Sequence, residues 1–220
     1  MLPRTLSSLR DAGFPSPRLF VDGAKDVEGW EDEFGLEVTC RFPALRTFGN
    51  WTLSLAEMYV RQPKAERYAV FQDDLITVRN LRQYLEAQEY PAGKAYWNLY
   101  TARSNLEAAP KGDYRGWFDS NQMGRGALAL VFDREAVQTL LSSRHMVDRP
   151  TDEFRGWRSV DGGIVTAMKK ARRKELCHTP TLVQHTGMKS TMLNAANKDT
   201  TGFPGERFDA LSFLPERAKR

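Results

Sequence analysis

Two adjacent carboxylates stand directly after an apolar run in the first half of the chain. Asp73 and Asp74 follow the run YAVF at 68–71, which has the composition of a buried β-strand. Like charges this close repel each other, and a hard divalent ion such as Mg²⁺ or Mn²⁺ removes the conflict because it takes oxygen ligands. The pair therefore predicts a divalent metal site able to hold a diphosphate. Acidic residues also favour helix N-termini, so a helix cap is the alternative interpretation.

Two further side chains with suitable chemistry stand at the ends of predicted elements. His185 ends the predicted strand 181–184 and is a candidate metal ligand, although a single histidine fits a packing role equally well. Asp161 precedes two glycines at a predicted helix start. Its carboxylate could serve as a general base in a cleft, where Gly162 and Gly163 would let a substrate approach the backbone. The alternative for Asp161 is again a helix cap.

Gly124 and Gly126 precede the apolar run ALALVF at 127–132. Their spacing is not GxGxxG, and a predicted strand follows them instead of a helix, so a dinucleotide-binding fingerprint is not supported. A simple turn is the alternative. The sequence also lacks P-loop, CxxC, HExxH and GxSxG motifs.

The elements that must position these residues alternate between strand and helix patterns. Strands are predicted over 18–21, 36–39, 68–71, 95–100, 127–132 and 181–184, and helices over 2–12, 50–62, 81–85, 133–141 and 161–168. Residues 24–35 are predicted to be a loop, and 101–126 a long loop of the kind that usually carries function. The alternation predicts an α/β fold with a mixed or largely parallel sheet, whose ligands bind beyond the carboxyl ends of the strands.

The composition is that of an ordinary globular protein. Of 220 residues, 41% are hydrophobic and 27% charged, which excludes disordered and fibrous classes. There is no apolar run of about 18 residues and no recognisable secretion signal at the start of the sequence. Two cysteines, Cys40 and Cys177, cannot form a disulfide framework and fit a reducing compartment. We therefore expect a cytoplasmic protein.

The formal net charge of +4 points weakly to a polyanionic partner. The excess is concentrated in a basic cluster, defined as Lys169, Lys170, Arg172, Arg173 and Lys174. A solvated helix face is one interpretation of this cluster, and a nucleic-acid contact is the other.

The order of the segments RLFVDG, FGNWTLSLAEM, YAVFQDD, MGRGALALVF, VDGGIV and PTLVQHTG resembles that of nucleotide-sugar-dependent glycosyltransferases of the GT-A fold. The resemblance covers nearly the whole chain, and its most specific parts are VFQDD and PTLVQHTG. It implies a Rossmann-like mixed sheet flanked by helices in one catalytic domain over 1–220. Residues 1–110 would form the nucleotide-sugar-binding half, 111–194 the acceptor and catalytic half, and 195–220 a polar C-terminal tail.

The resemblance also implies a metal centre. The QDD run is similar to the family's DXD motif, so Asp74 would coordinate Mn²⁺ or Mg²⁺ and Asp73 would contact the ribose or the waters of the metal. Gln72 occupies a place often held by an acid, which would weaken the grip on the metal. His185 resembles the C-terminal histidine that completes the metal shell.

Other positions are assigned by the same resemblance. Asp22 would contact the nucleoside, and Asn50, at the predicted helix start, would face the nucleotide. Gly124 and Gly126 would lie along the sugar donor and the acceptor. Asp161 would be the base of an inverting reaction. The expected donor is a UDP-sugar, and the expected acceptor is either a glycan or a hydroxymethylated base in DNA.

One departure from the family pattern concerns the first strand. Folds of this family open with a central strand, whereas here the first predicted element is a helix beginning at about Leu2. We therefore expect the natural start to lie upstream, or the sequence to be a fragment. Two other functions remain open: a non-catalytic basic module that binds nucleic acid, and a metal-dependent nucleotidyl or phosphoryl transferase.

Overall fold

The computed structural model of the chain describes residues 1–148, 160–186 and 202–215. In these ranges the strands are β1 (Leu19–Asp22), β2 (Val38–Arg41), β3 (Arg67–Phe71), β4 (Leu75–Thr77), β5 (Ala95–Asn98), β6 (Gly116–Asp119), β7 (Ala129–Asp133), β8 (Lys174–Thr179) and β9 (Val183–His185). The helices are α1 (Leu2–Asp11), α2 (Glu28–Phe34), α3 (Arg46–Arg61), α4 (Leu81–Ala87), α5 (Arg103–Leu106), α6 (Arg134–Ser142), α7 (Arg144–Val147) and α8 (Val160–Lys170), with a 3-10 helix over Ala210–Phe213. The predicted α/β class is confirmed.

The largest sheet has five strands in the order β3-β7-β5-β8-β6. Only β5 and β8 run parallel, while the other three neighbouring pairs are antiparallel. The sheet is therefore mixed, as predicted, but antiparallel pairs predominate over parallel ones. Two smaller sheets accompany it: β1 pairs with β2 in parallel, and β4 pairs with β9 in antiparallel.

Helices cover both faces of the five-stranded sheet. Along β7 the side chains alternate: Leu130 and Phe132 enter one apolar cluster, and Ala129 and Val131 enter the other. The first cluster is completed by α3, α6 and α8, and the second by α4 and the 3-10 helix. Burial on both faces explains why β7 reads as a continuous apolar run in the sequence.

Among the described residues, β1 pairs with β2 alone and β3 pairs with β7 alone, so each keeps one edge without a neighbouring strand. Helix α3 packs against both β1 and β3. The expectation of a further central strand stays a prediction. No helix in the described ranges combines the length and the apolar character needed to cross a bilayer.

The predicted start of α3 at Asn50 is wrong. The helix begins at Arg46, and Asn50 lies within it. The true cap is supplied from outside the local sequence, because the Asp22 carboxylate at the end of β1 accepts the N–H groups of Leu45 and Arg46 at 2.7 Å each. A cap contributed by a distant strand leaves no signature at the helix itself.

The two predicted loops are also corrected. Residues 24–35 contain α2, and 101–126 contain both α5 and β6. Strand β8 was not predicted, because it begins with the charged residues Lys174 and Glu175, which lack the apolar pattern of a buried strand. The last predicted strand, 181–184, corresponds to β9, which ends at His185 as expected.

Candidate active site

Strands β4 and β9 bring together the two residues predicted to bind a metal. Leu75 on β4 lies opposite His185 on β9, and the Thr186 N–H donates to the Asp74 carbonyl at 2.7 Å. This pairing places the His185 Nε2 atom 2.9 Å from the Asp74 Oδ2 atom. The side chains are 15% and 21% exposed, respectively, so the pair sits at the surface of the fold without being fully solvated.

The second carboxylate oxygen of Asp74 is buried and has no hydrogen-bond partner among the described residues. In the part of the chain that the structure describes, it is the only buried carboxylate oxygen without a hydrogen-bond partner. A buried acceptor without a donor is costly unless an ion or a ligand completes it. Among the described residues the Asp74 carboxylate therefore has one acceptor position left over, which a donor group, a water molecule or a cation would complete.

The segment that carries the two acids, defined as the acid turn (residues 72–74), does not begin a helix. Strand β4 follows it directly, so the helix-cap interpretation of Asp73 and Asp74 is wrong. Thr5 on α1 braces this segment, because its hydroxyl lies 2.8 Å from the carbonyl oxygens of Asp73 and Leu75. The Asp73 side chain is exposed. Sequence reasoning missed Thr5, which carries no local signal of this contact.

Gln72, the first residue of the acid turn, contacts the two residues reached soon after the glycine loop, which is defined as residues 120–126. Its backbone N–H donates to the Leu128 carbonyl at 2.9 Å, and its side-chain Nε2 donates to the Ala127 carbonyl at 3.1 Å. The acid turn therefore lies beside the end of the glycine loop, at the edge of the sheet where β3 ends and β7 begins.

The glycine loop in turn contacts Asp161. The Gly126 N–H donates to the Asp161 Oδ2 atom at 2.9 Å. Gly124 has φ +64°, and a Cβ atom there would lie 2.7 Å from the Asp161 carbonyl oxygen, so the approach requires glycine. Asp161 itself lies inside the first turn of α8. The structure thus brings together three residues that the sequence placed in the catalytic and donor-binding set.

Asp22 and Asn50 both lie near the start of α3. The Asp22 carboxylate is engaged by the N-terminus of that helix, as described above. Asn50 accepts from the Arg41 Nη1 atom at 3.0 Å and donates to the Phe20 carbonyl at 3.1 Å. Both side chains are therefore held by protein groups, and their contact with a nucleotide stays a prediction.

A buried acid that sequence reasoning missed lies beneath the glycine loop. Glu175 on β8 is 2% exposed. Burial raises the pKa of its carboxyl, and the negative charge of Asp161 acts in the same direction. The available signal was one glutamate directly before the apolar residues Leu176 and Cys177 in the run KELCHT.

The basic cluster is partly neutralised by neighbouring acids. The Arg173 side chain is only 6% exposed and lies 3.2 Å from Asp133 and 2.8 Å from Glu135. Lys174 is paired with Asp119. The exposed basic surface without an ion pair among the described residues is therefore reduced to three side chains, Lys169, Lys170 and Arg172.

Within the ranges that the structure describes, no group of three or more His, Cys, Asp or Glu side chains is arranged to hold a metal. The protein thus offers Asp74 and His185 as two candidate ligands, and a bound ion would need further ligands from a substrate or from water. Neither the scan against protein-family models nor the search of curated proteins finds a match to this chain.

Proposed function

We propose that the chain is a metal-dependent glycosyltransferase of the GT-A fold, which moves a sugar from a UDP-sugar to an acceptor hydroxyl with inversion. The observation that carries the proposal is the Oδ1 atom of Asp74 beside His185, which is buried and has no hydrogen-bond partner among the residues that the structure describes. The order of the sequence segments and the mixed α/β architecture support the same family.

The residues present fit a divalent ion such as Mn²⁺ or Mg²⁺. Asp74 would supply a carboxylate oxygen and His185 an imidazole nitrogen, a mixed set that suits Mn²⁺ in particular. When bound, such an ion neutralises charge that develops on a departing diphosphate. The Gln72 side chain is uncharged, and its Nε2 atom already donates a hydrogen bond to the Ala127 carbonyl.

Asp161 is the proposed general base. Its Oδ2 atom accepts from Gly126 at 2.9 Å and its Oδ1 atom from the Gly162 N–H at 3.1 Å, so the two backbone contacts orient the carboxylate. In the transfer, the acceptor oxygen gives its proton to Asp161 and forms a bond to the anomeric carbon. The bond from that carbon to the diphosphate oxygen breaks, and UDP leaves with the bonding electron pair.

The acceptor is a hydroxyl group of a glycan or of a hydroxymethylated base in DNA. The ion pairs of Arg173 and Lys174 favour the glycan, because they remove two of five cations from the basic surface that a DNA duplex would require. A panel of nucleotide sugars, scored by release of free nucleoside diphosphate, tests the reaction. Release of pyrophosphate or of inorganic phosphate instead would identify nucleotidyl or phosphoryl transfer.

The metal site is tested by calorimetry with UDP, in the presence and absence of Mn²⁺. Wild-type protein should bind UDP only with Mn²⁺, and Asp74→Ala should abolish that binding because it removes the carboxylate that lies 2.9 Å from His185. Asp32→Ala, which removes an exposed carboxylate on α2, serves as the matched control and should bind as wild type does. Metal-independent binding, or unchanged binding by Asp74→Ala, would overturn the proposal.

A further inference from the structure

Glu175 is a buried carboxylate held by neutral donors. Its Oε1 atom accepts from the Tyr96 hydroxyl at 3.2 Å and from the Asn98 Nδ2 atom at 3.1 Å, and its Oε2 atom accepts from the Ser120 hydroxyl at 2.6 Å. Among the described residues it forms no ion pair. Hydrogen bonds only offset the cost of removing a carboxylate from water, and an apolar side chain of similar size would avoid that cost, so a stability role alone does not explain the presence of Glu175.

The backbone and neighbours of Glu175 hold the glycine loop at both ends. At the start of the loop, the Glu175 N–H donates to the Gln122 Oε1 atom at 2.9 Å, and the Glu175 carbonyl accepts from the Gln122 Nε2 atom at 2.8 Å. Near its end, Asn98 donates to the Arg125 carbonyl at 3.3 Å through the same Nδ2 atom that contacts Glu175.

The residue after this second anchor is Gly126, whose N–H contacts the Asp161 carboxylate. We propose that Glu175 is a positioning residue, which fixes the glycine loop so that Gly126 orients Asp161 toward the acceptor hydroxyl. The inference rests on the proposed function for the role of Asp161. The hydrogen-bond chain from Glu175 through Asn98 and the glycine loop to Asp161 stands on the structure itself.

The three groups that donate to Glu175 fit a carboxylate, which only accepts hydrogen bonds, and do not fit an amide. The Ser120 hydroxyl oxygen already accepts from the Gln122 N–H at 2.9 Å and from its Nε2 atom at 3.1 Å, so it must donate to Glu175. The Asn98 amide is fixed as well, because its Oδ1 atom accepts from the Tyr100 N–H at 3.1 Å. Glutamine at this position would turn its NH2 group toward one of these donors, whichever way it was oriented.

The test is Glu175→Gln, with Glu89→Gln as the matched control because that glutamate is exposed and outside the site. Amide hydrogen exchange over residues 120–126 should become faster in Glu175→Gln and stay at the wild-type rate in the control. With a UDP-sugar, kcat should fall about 100-fold, because small misplacement of a catalytic group has effects of this size. The donor KM and the affinity for UDP with Mn²⁺ should change less than about twofold, since the defect concerns the transition state alone.

A double-mutant cycle separates positioning from a general loss of structure. In the Asp161→Asn background the base is already absent, so adding Glu175→Gln should lower kcat little further. Losses that multiply, or wild-type exchange in the loop of Glu175→Gln, would overturn the proposal. If Glu175→Gln does not fold, Ser120→Ala removes one donor to the same carboxylate and should accelerate loop exchange in the same direction.

The exchange measurement also distinguishes this inference from the proposed function. If wild-type protein turns over no nucleotide sugar, the glycosyltransferase proposal fails, and faster exchange in Glu175→Gln still shows that Glu175 holds the loop. If wild-type protein is active and loop exchange is unaffected by Glu175→Gln, the positioning role fails and the proposed function stands.

Discussion

His178 and His185 stand on consecutive strands and have opposite surroundings. His178 is fully buried, and its Nε2 atom lies 2.8 Å from the Tyr84 hydroxyl and its Nδ1 atom 2.7 Å from the Pro180 carbonyl. Because a carbonyl only accepts, Nδ1 carries the proton and Nε2 accepts from the tyrosine. His185 instead faces Asp74, whose second oxygen is buried without a partner among the described residues.

The contrast separates a structural histidine from a candidate functional one. Around His178 both ring nitrogens are satisfied by the protein, and burial lowers the pKa of the imidazole to about 4, so it stays neutral. Around His185, one oxygen of the Asp74 carboxylate has no hydrogen-bond partner within the described ranges. A site in which polar groups await a ligand is where binding or catalysis is expected, whereas a completed network serves the fold.

The largest expected effect concerns Asp161, the proposed general base. Asp161→Asn should lower the transfer rate about 10²- to 10⁴-fold, because an amide cannot accept the proton of the acceptor hydroxyl. UDP affinity measured calorimetrically with Mn²⁺ should stay at the wild-type value, since Asp161 is not among the candidate metal ligands. Transfer at an equal rate in variant and wild type would remove Asp161 from the mechanism and leave the incomplete site without its base.

The next effect concerns the pH dependence of stability through His178. Its pKa is about 4 in the folded state, below the ordinary value of 6.5, so the unfolded chain takes up the proton first as the pH falls. The stabilising contribution is therefore present above pH 6.5 and lost progressively between pH 6.5 and 4. It amounts to about 3 kcal/mol at most.

Urea unfolding at a series of pH values measures this dependence. His178→Gln can keep a donor for Pro180 and an acceptor for Tyr84 but cannot titrate, so its free energy of unfolding should fall less steeply over the same interval. Parallel curves for the two proteins would show that His178 is not held neutral by burial, and the contrast between the two histidines would break.

The smallest effect is expected at His185 itself. His185→Gln should weaken the Mn²⁺-dependent affinity for UDP about 10- to 100-fold, a range typical for the loss of a group that supports a metal site. The partly exposed position should make the loss of stability small. His178→Gln makes the same substitution at the buried histidine and is the matched control. Calorimetry should find its UDP affinity unchanged. Equal affinity in His185→Gln and wild type would place the imidazole outside the metal site.

Local sequence patterns were sufficient for much of the fold. The apolar run 68–71 predicts β3, and the helical pattern at 133–141 predicts the helix that the structure contains as α6. Asp133 caps this helix, because its Oδ1 atom accepts the Ala136 N–H at 2.6 Å. Such features depend on residues adjacent in the chain. The pairing of Asp74 with His185 was also anticipated, although only through the resemblance of the two segments to a known family.

Other features were decided by contacts between residues far apart in the sequence. The cap of α3 comes from Asp22 on β1, and β8 is a central strand despite its charged first residues, because the sheet on both sides of it supplies partners for its backbone. Glu175 became interpretable only when its three donors were known.

By itself, then, the amino-acid order determined an α/β chain with two acids after a strand and a histidine at the end of another. Tertiary structure alone decided that one oxygen of Asp74 lacks a hydrogen-bond partner in the described part of the chain, and that the buried Glu175 is hydrogen bonded beneath the loop that contacts Asp161. The physical reason is that periodicity and turn chemistry act over a few neighbouring residues, whereas burial and hydrogen-bond satisfaction depend on groups that distant segments bring together.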